Sequence, residues 1–322
     1  MEHRLIGQTG VSVSSVSMGC ASIGNLGHAI SDEQAAAVLD LAWQRGIRYF
    51  DTAPRYGSGR SEVRLGNFLA GKPQDQFVVS TKVGRILTPG KAQAEAYGFI
   101  DPLPNDVHYD YSADGFRRSL EGSRQRLGID FVDIVYVHDI GVVTHGETDN
   151  ARHLGDLMES GLPYLADLKR QGRIGAYGLG VNESAICVEI MRQHPLDVIL
   201  LAGRWTLLDR EAEAELVPLC RQTGTGLVLG GVFNSGILAA GPRPGAWFDY
   251  APASDDILAR VGALQQQFAA LGVELPHAAL QFGVTRPEAV SVLLGTGKPE
   301  SLARNLDMIE TPLPAEAMAL MR

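Results

Sequence analysis

Four polar side chains stand where short apolar runs end. Asp51 closes Arg48-Tyr49-Phe50, with Tyr56 on the segment that follows. Lys82 closes Val78-Val79-Ser80-Thr81, and His138 closes Ile134-Val135-Tyr136-Val137, with Asp139 next. Together these groups have one coherent chemical use. A phenol that must move a proton near neutral pH starts from an ordinary pKa of about 10. A nearby ammonium stabilises the phenolate, and a buried carboxylate orients and compensates the ammonium. An imidazole can orient a carbonyl or hydroxyl oxygen and share proton transfer. The set suits interconversion of a carbonyl and an alcohol. Each residue also has an ordinary alternative: Asp51 as a loop cap, Lys82 as a solvated cation, His138 as a satisfied rim residue, Tyr56 as packing. No HExxH and no compact His/Cys cluster occurs, so no metal is expected. The serines lack the GxSxG elbow of an α/β-hydrolase.

The elements that would position these residues follow a βα rhythm. Val16–Met18 precedes a helical pattern at Asp32–Arg45, and Arg48–Phe50 precedes one at Ser61–Leu69. Val78–Thr81 leads, after a long connection, to Ser112–Leu127, and Ile134–Val137 to a helix ending near Gln171. Then come Ala176–Val181 with Ser184–Gln193, Val198–Leu201 with Glu211–Arg221, Leu227–Leu229 with Asp255–Leu271, and Val290–Leu294 with Ser301–Ile309. Ser31 and Gln34 have capping-box spacing, and Gly46, Gly128 and Gly172 stand just past helical patterns. About eight such units imply parallel strands with crossover helices. A doubly wound nucleotide-binding sheet should show GxGxxG after its first strand, and Gly19–Gly24 lacks that spacing. The expectation is therefore α/β, a single (β/α)8 TIM barrel over residues 1–322. A short N-terminal β-hairpin over Leu5–Val13, turning at Thr9-Gly10, would close its bottom. Two segments exceed an ordinary βα loop. The first, Gly84–Tyr111, carries Tyr97, Phe99, His108, Tyr109 and Tyr111, and reads as a substrate-covering loop. The second runs from Asp139 to about Gly155.

Composition narrows the partners. With 28 Lys+Arg against 37 Asp+Glu the net charge is −9, and no basic block offsets it, so nucleic acid and anionic membrane are not expected partners. The 45% hydrophobic content excludes a mainly disordered chain. The three cysteines are far apart and form no CxxC pair, which suits a reducing compartment. The N-terminus has no signal-peptide apolar core, and the charge-free stretch between Arg221 and Arg243 is broken by glycines and Asn234. A cytoplasmic enzyme acting on a small molecule is expected.

Asp51-Thr52-Ala53-Pro54-Arg55-Tyr56-Gly57 resembles the Asp–Thr–Ala–x–x–Tyr–Gly segment of the aldo-keto reductase family, and Lys82 and His138 match the ends of the next family strands. The resemblance runs from about Leu5 to Asn305. It implies an eightfold barrel, a nicotinamide cofactor bound extended, and a catalytic tetrad. In that tetrad Tyr56 moves the proton, Lys82 and Asp51 support it, and His138 positions substrate. It further implies cofactor contacts. Gly180-Val181-Asn182-Glu183 resembles the family's carboxamide-holding segment, with Asn182 in place of serine and Glu183 in place of asparagine. The usual glutamine is not evident in Ile199–Ala202, while Trp205 stands where many members place an aromatic beneath the ring. Gly230, Gly231, Asn234, Ser235, Gly236 and Leu238 resemble the pyrophosphate-facing loop. Gly295, Lys298, Ser301, Arg304 and Asn305 lie along the adenosine segment. Gly295 and Ser301 replace the lysine and arginine of NADP-preferring relatives, so NAD is the expected cofactor, with Lys298 and Arg304 available for NADP. Within the family the chain is similar to the L-fucose, D-threo-aldose and L-galactose dehydrogenases, with pyridoxal 4-dehydrogenase nearby. The implied reaction is oxidation of an aldose at C1 to its lactone. Alternatives are pyridoxal oxidation, NADPH-dependent aldehyde reduction, and a non-catalytic redox sensor that only binds the cofactor.

Overall fold

The computed structural model describes residues 1–91 and 98–322. The chain begins with an antiparallel hairpin, β1 (His3–Leu5) and β2 (Ser12–Ser14), with Leu5 opposite Ser12. Gly7 adopts φ 50° in its connection, where an added Cβ would press on the carbonyls of Asp197 and Gly224. β3 (Val16–Gly19), α1 (Asp32–Gln44), β4 (Tyr49–Asp51), α2 (Arg60–Leu69) and β5 (Val78–Val83) follow. Among the described residues eight parallel strands close a barrel. Its members after β5 are β8 (Val132–His138), β9 (Ile174–Val181), β10 (Val198–Ala202), β11 (Gly226–Gly230) and β14 (Ala289–Gly295), and β14 pairs back onto β3. Outside the barrel β6 (Arg85–Pro89) pairs with β7 (Asn105–Tyr109), and β12 (Trp247–Phe248) with β13 (Ala251–Pro252). The remaining helices are α3 (Ala113–Leu127), α4 (Val142–Asp156), α5 (Leu162–Arg170), α6 (Ser184–Met191), α7 (Leu216–Thr223), α8 (Ile237–Ala240), α9 (Asp255–Ala269), α10 (Leu275–Val284), α11 (Pro299–Glu310) and α12 (Ala315–Ala319).

Local chemistry accounts for the helix ends. Ser31 accepts the amide of Gln34 and Ser112 that of Gly115, while Gly128 takes the left-handed C-cap of α3. Only half of the expected capping box forms on α1, because the Gln34 side chain reaches across to the Gly297 carbonyl instead. Two hydrophobic layers result. The larger lies between strands and helices, and the smaller fills the barrel interior with Ile134, Ala176, Val198 and Val228. Ile6 and Val13 of the N-terminal hairpin, both fully buried, join that inner cluster. Burying an aliphatic side chain of this size contributes roughly 1.5–3 kcal/mol.

Several local expectations change. Gly84–Tyr111 contains the paired strands β6 and β7, with Arg85 opposite Tyr109; Tyr97 lies outside the described residues. The stretch after Asp139 is helical rather than a loop, since α4 starts at Val142 and absorbs a kink at Gly146. Glu211–Arg221 splits into a short 3-10 turn at Glu211–Glu213 and α7. α10 follows α9 after the Gly272 turn, with a proline in its first turn, and the sequence pattern had not separated it.

Candidate active site

The parallel register brings the chemistry-bearing strand ends to one mouth. β4 delivers Asp51, β5 Lys82 and β8 His138, exposed by 0%, 2% and 5% respectively. Lys82 Nζ donates to Asp51 Oδ2 at 2.6 Å and to the Thr52 carbonyl at 2.9 Å. Gly180 at the end of β9 makes room for this lysine: an added Cβ would sit 3.3 Å from Lys82 Cε. Tyr56 comes from the loop after β4. The next residue, Gly57, has φ 62°, and any Cβ there would collide with the Gly24 carbonyl. Lys82 Nζ lies 4.7 Å from the centre of the Tyr56 ring, and its positive charge acts to lower the Tyr56 phenol. The Tyr56 ring stacks on Phe99 at 5.9 Å and meets His138 edge-on at 6.0 Å. The four residues are thus together.

His138 is held from behind. Its carbonyl accepts the Tyr111 hydroxyl at 2.7 Å, and that hydroxyl also meets His145 Nε2 at 2.8 Å. Nε2 of His138 lies 3.4 Å from Asp139 Oδ2, and buried Nδ1 has no partner among the described residues. Asp139 adopts φ 47° and is gripped by Arg85 at 2.5 Å and Arg55 at 3.3 Å.

Burial governs the protonation states. It pushes the Tyr56 phenol up to about 12, with Lys82 opposing. It holds the His138 imidazole well below its usual value, reinforced by the positive charges of Arg85, Lys82 and Arg55, so the ring is neutral at pH 7. Burial also pushes the Asp51 carboxyl up, against Lys82 and Ser80, which favour its ionised form. For Lys82 burial acts downward but is outweighed by Asp51 and Tyr56, which raise it. The 2.6 Å contact between Lys82 and Asp51 favours the ionised form of both partners.

A cavity of about 560 Å³ opens over these groups, walled by Phe99, Tyr109, Tyr250, Leu26, Val143 and Leu200. Around the rest of the mouth several strands end in small residues. β3, β10, β11 and β14 finish at Gly19, Ala202, Gly230 and Gly295, and a Cβ on Gly295 would meet nothing closer than the Gly19 carbonyl at 3.8 Å. That cradle fits an extended cofactor lying across the ends of β9, β10, β11 and β14.

The residues expected to contact a cofactor divide. Asn182 lines the cavity, and its carbonyl accepts Arg204 Nε at 2.8 Å. Gly230 ends β11, Gly231 is exposed with φ 62°, and Gly236 leads into α8. Ser235 is exposed, and its hydroxyl accepts the Tyr250 amide at 3.1 Å. Lys298 and Arg304 are exposed, Ser301 is half-buried, and Asn305 is 8% exposed on α11. Three of these side chains are engaged within the fold. Trp205 is turned into the core, where its Nε1 donates to Glu213 at 3.0 Å and its ring meets Phe282 edge-on, so it does not underlie the cavity. Asn234 donates to the Gly203 carbonyl at 3.0 Å and accepts from Thr206 at 2.6 Å, so its amide braces the loop through one N–H and its oxygen, and the second N–H is not used by these bonds. Leu238 is fully buried, leaving no side-chain surface for a ligand.

Sequence reasoning missed Ser80, Arg85 and Tyr250. Ser80 is two residues before Lys82 on one strand face, a spacing that could have flagged it. Arg85 and Tyr250 reach the site from separate hairpins and carry no local signal. Among the described residues no cluster of His, Cys, Asp and Glu could hold a metal ion, and no helix is long and apolar enough to cross a membrane.

A parallel barrel with Lys, Asp, Tyr and His at one mouth and a glycine-lined cradle beside them defines a class of oxidoreductase. The profile of the Aldo/keto reductase family matches residues 15–322. The chain is 40% identical to pyridoxal 4-dehydrogenase of Microbacterium luteolum, covering 100% of this chain and 96% of the relative. It is 38% identical to D-threo-aldose 1-dehydrogenase of a Pseudomonas species, covering 95% and 92%. The barrel superposes on an aldo-keto reductase from Bacillus halodurans with a TM-score of 0.78 at 23% identity, covering 100% of this chain and 95% of that one, a likeness of fold. The chain belongs to the aldo/keto reductase family. It is an oxidoreductase acting on CH–OH groups, of a family that uses NAD(P)H.

Proposed function

We propose that this enzyme oxidises the anomeric carbon of a cyclic hemiacetal, an aldose of the L-fucose or D-threo-aldose kind, to the lactone with NAD. The observation that supports this reading is the convergence of Tyr56, Lys82, Asp51 and His138 on one cavity. His138, neutral, orients the anomeric hydroxyl, and the Tyr56 oxygen accepts its proton. Lys82 stabilises the phenolate form of Tyr56 that takes up this proton, and Asp51 fixes Lys82. A nicotinamide cofactor, when bound, supplies the hydride acceptor. Asn182, Ser235, Asn305 and the glycines of the cradle would hold it. Gly295 and Ser301 offer no cation to a 2′-phosphate, which favours NAD. Lys298 and Arg304 are the positions from which NADP would be served. The three buried free cysteines suit a reducing, cytoplasmic setting.

A second reading, oxidation of pyridoxal, is favoured by the aromatic wall of Phe99, Tyr109 and Tyr250, which suits a flat ring. Pyridoxal closes to a hemiacetal, so the same chemistry applies. The test is reduced-cofactor formation with L-fucose, L-galactose, D-arabinose, D-glucose, pyridoxal and simple aldehydes, each with NAD and NADP. L-fucose or a sugar sharing its configuration near C1, used with NAD, is the expected result. Efficient turnover of pyridoxal alone transfers the assignment to the second reading, and equal efficiency with NADP removes the cofactor preference.

A further inference from the structure

The Asp51 carboxylate ends a line of hydroxyl groups that the reaction above does not use. Tyr136 of β8, Tyr49 of β4 and Ser80 of β5 are all fully buried. The Tyr136 and Tyr49 hydroxyls are 2.9 Å apart, Tyr49 donates to Ser80 Oγ at 3.0 Å, and Ser80 donates to Asp51 Oδ1 at 2.7 Å. Each hydroxyl has one proton to give, and an ionised carboxylate can only accept. Ser80 must therefore point its proton at Asp51. Tyr49 then points at Ser80, leaving Tyr136 to donate to Tyr49. All three dipoles are aligned toward one negative charge, in an interior walled by Ile134, Ala176, Val198 and Val228. In such surroundings consecutive hydrogen bonds polarise and strengthen one another.

We propose that Ser80, Tyr49 and Tyr136 are positioning residues that hold Asp51 ionised and aimed at Lys82, and so set the pH range over which Lys82 serves Tyr56. The inference rests on the roles proposed above for Tyr56, Lys82 and Asp51. The titratable groups facing Asp51 are Lys82 from β5, Cys20 just past β3, Tyr56 from the loop after β4, Tyr49 on its own strand, and Tyr136 from β8. Lys82 is the one cation in that set. Burial acts against the Asp51 charge, and the bonds from Lys82 and Ser80 oppose it. The aligned hydroxyls supply the stabilisation that a single ammonium leaves to be found, and they fix the carboxylate plane from the side away from the cavity.

The experiment compares the full-length wild-type chain with Ser80→Ala, Ser80→Thr and Tyr136→Phe. Two quantities are followed against pH: the acid limb of turnover, and the infrared carbonyl band of protonated aspartic acid in protein labelled with 13C-aspartate, assigned by its loss in Asp51→Asn. Loss of one donor to a carboxylate raises its pKa. Ser80→Ala should move both the acid limb and the Asp51 band upward by about one pH unit. Tyr136→Phe should move them the same way by less, and Ser80→Thr should restore the wild-type values. A merely structural role would lower the melting temperature and leave both titrations in place, and that result overturns the proposal. If Ser80→Ala does not fold, Tyr136→Phe decides, since it keeps its ring: an unmoved Asp51 band then overturns the inference. The infrared titration needs no turnover. An active Tyr56→Phe enzyme would therefore remove the proposed role of Tyr56 while leaving the hydroxyl line to be judged on its own band.

Discussion

Tyr56 is subject to two opposed influences, and their balance has a kinetic consequence. Burial raises its phenol to about 12 while Lys82 pulls the other way. The phenol is then the dominant form at neutral pH. It is ready to donate a proton in carbonyl reduction, but only a small phenolate fraction is ready to accept one in alcohol oxidation. That fraction grows tenfold per pH unit below the pKa. Efficiency of oxidation should therefore climb steadily from pH 7 to 10, while reduction stays level. Steady-state rates in both directions at constant ionic strength check this, and an oxidation optimum at or below pH 7 would contradict it. Removing the hydroxyl is the second test. General acid–base catalysis contributes roughly 10²–10⁴-fold, so Tyr56→Phe should lower turnover by about that factor and barely change cofactor affinity, since the ring still stacks on Phe99. Single-turnover rates with a C1-deuterated sugar, alongside direct NAD binding, separate this from a packing role. A near-original hydride-transfer rate in Tyr56→Phe would remove the residue from its proposed task.

At the scale of elements, the pieces most legible in the sequence are those specified by neighbours in the chain. α3 is an example: Ser112 caps its start and Gly128 its end, and both signals are local. Ser112→Ala should cost about 1 kcal/mol in urea unfolding. The β9–β10 contact is specified differently. A Cβ on Gly178 would overlap the Val198 carbonyl of the adjacent strand, so backbone rather than a movable side chain would have to yield. Gly178→Ala is expected to destabilise by about 4 kcal/mol or more, or to prevent folding, which the same unfolding curves would show. Nothing in the run Ile174–Val181 marks Gly178 as different from its neighbouring glycines Gly175 and Gly180. The pairing of β6 with β7 was illegible for a related reason. Pro89-Gly90 is a turn signal at the end of β6, but nothing near it in the chain says that Arg85 will face Tyr109.

For the molecule as a whole, buried proton-bearing groups set an alkaline limit to stability. Burial raises Tyr49, Tyr56, Tyr111 and Tyr136, and likewise Cys20, Cys187 and Cys220. Lys82 is raised as well, by Asp51 and Tyr56 acting against burial. A group whose folded pKa exceeds its unfolded value stabilises the fold fully below the unfolded pKa, and loses that contribution as pH rises. Unfolding free energy should therefore fall as pH climbs above about 9, where unfolded cysteines begin to titrate, and fall faster above about 10 with the tyrosines. Urea melts from pH 8 to 11 check the sign, and constant stability across that range would contradict it. The sequence by itself determined the eightfold βα rhythm, and it placed Asp51, Lys82 and His138 at strand ends with Tyr56 just beyond one of them. Strand ends and helix caps are written in adjacent residues, and a parallel barrel gathers its strand ends at one mouth. Tertiary structure alone decided which way other side chains turned. Trp205 could have faced the mouth, but Glu213 and Phe282 capture it in the core. Asn234 is oriented by Gly203 and Thr206, which hold the nitrogen and the oxygen of its amide. A side chain's direction is set by whichever partner satisfies and buries it best, and those partners come together only when the barrel closes.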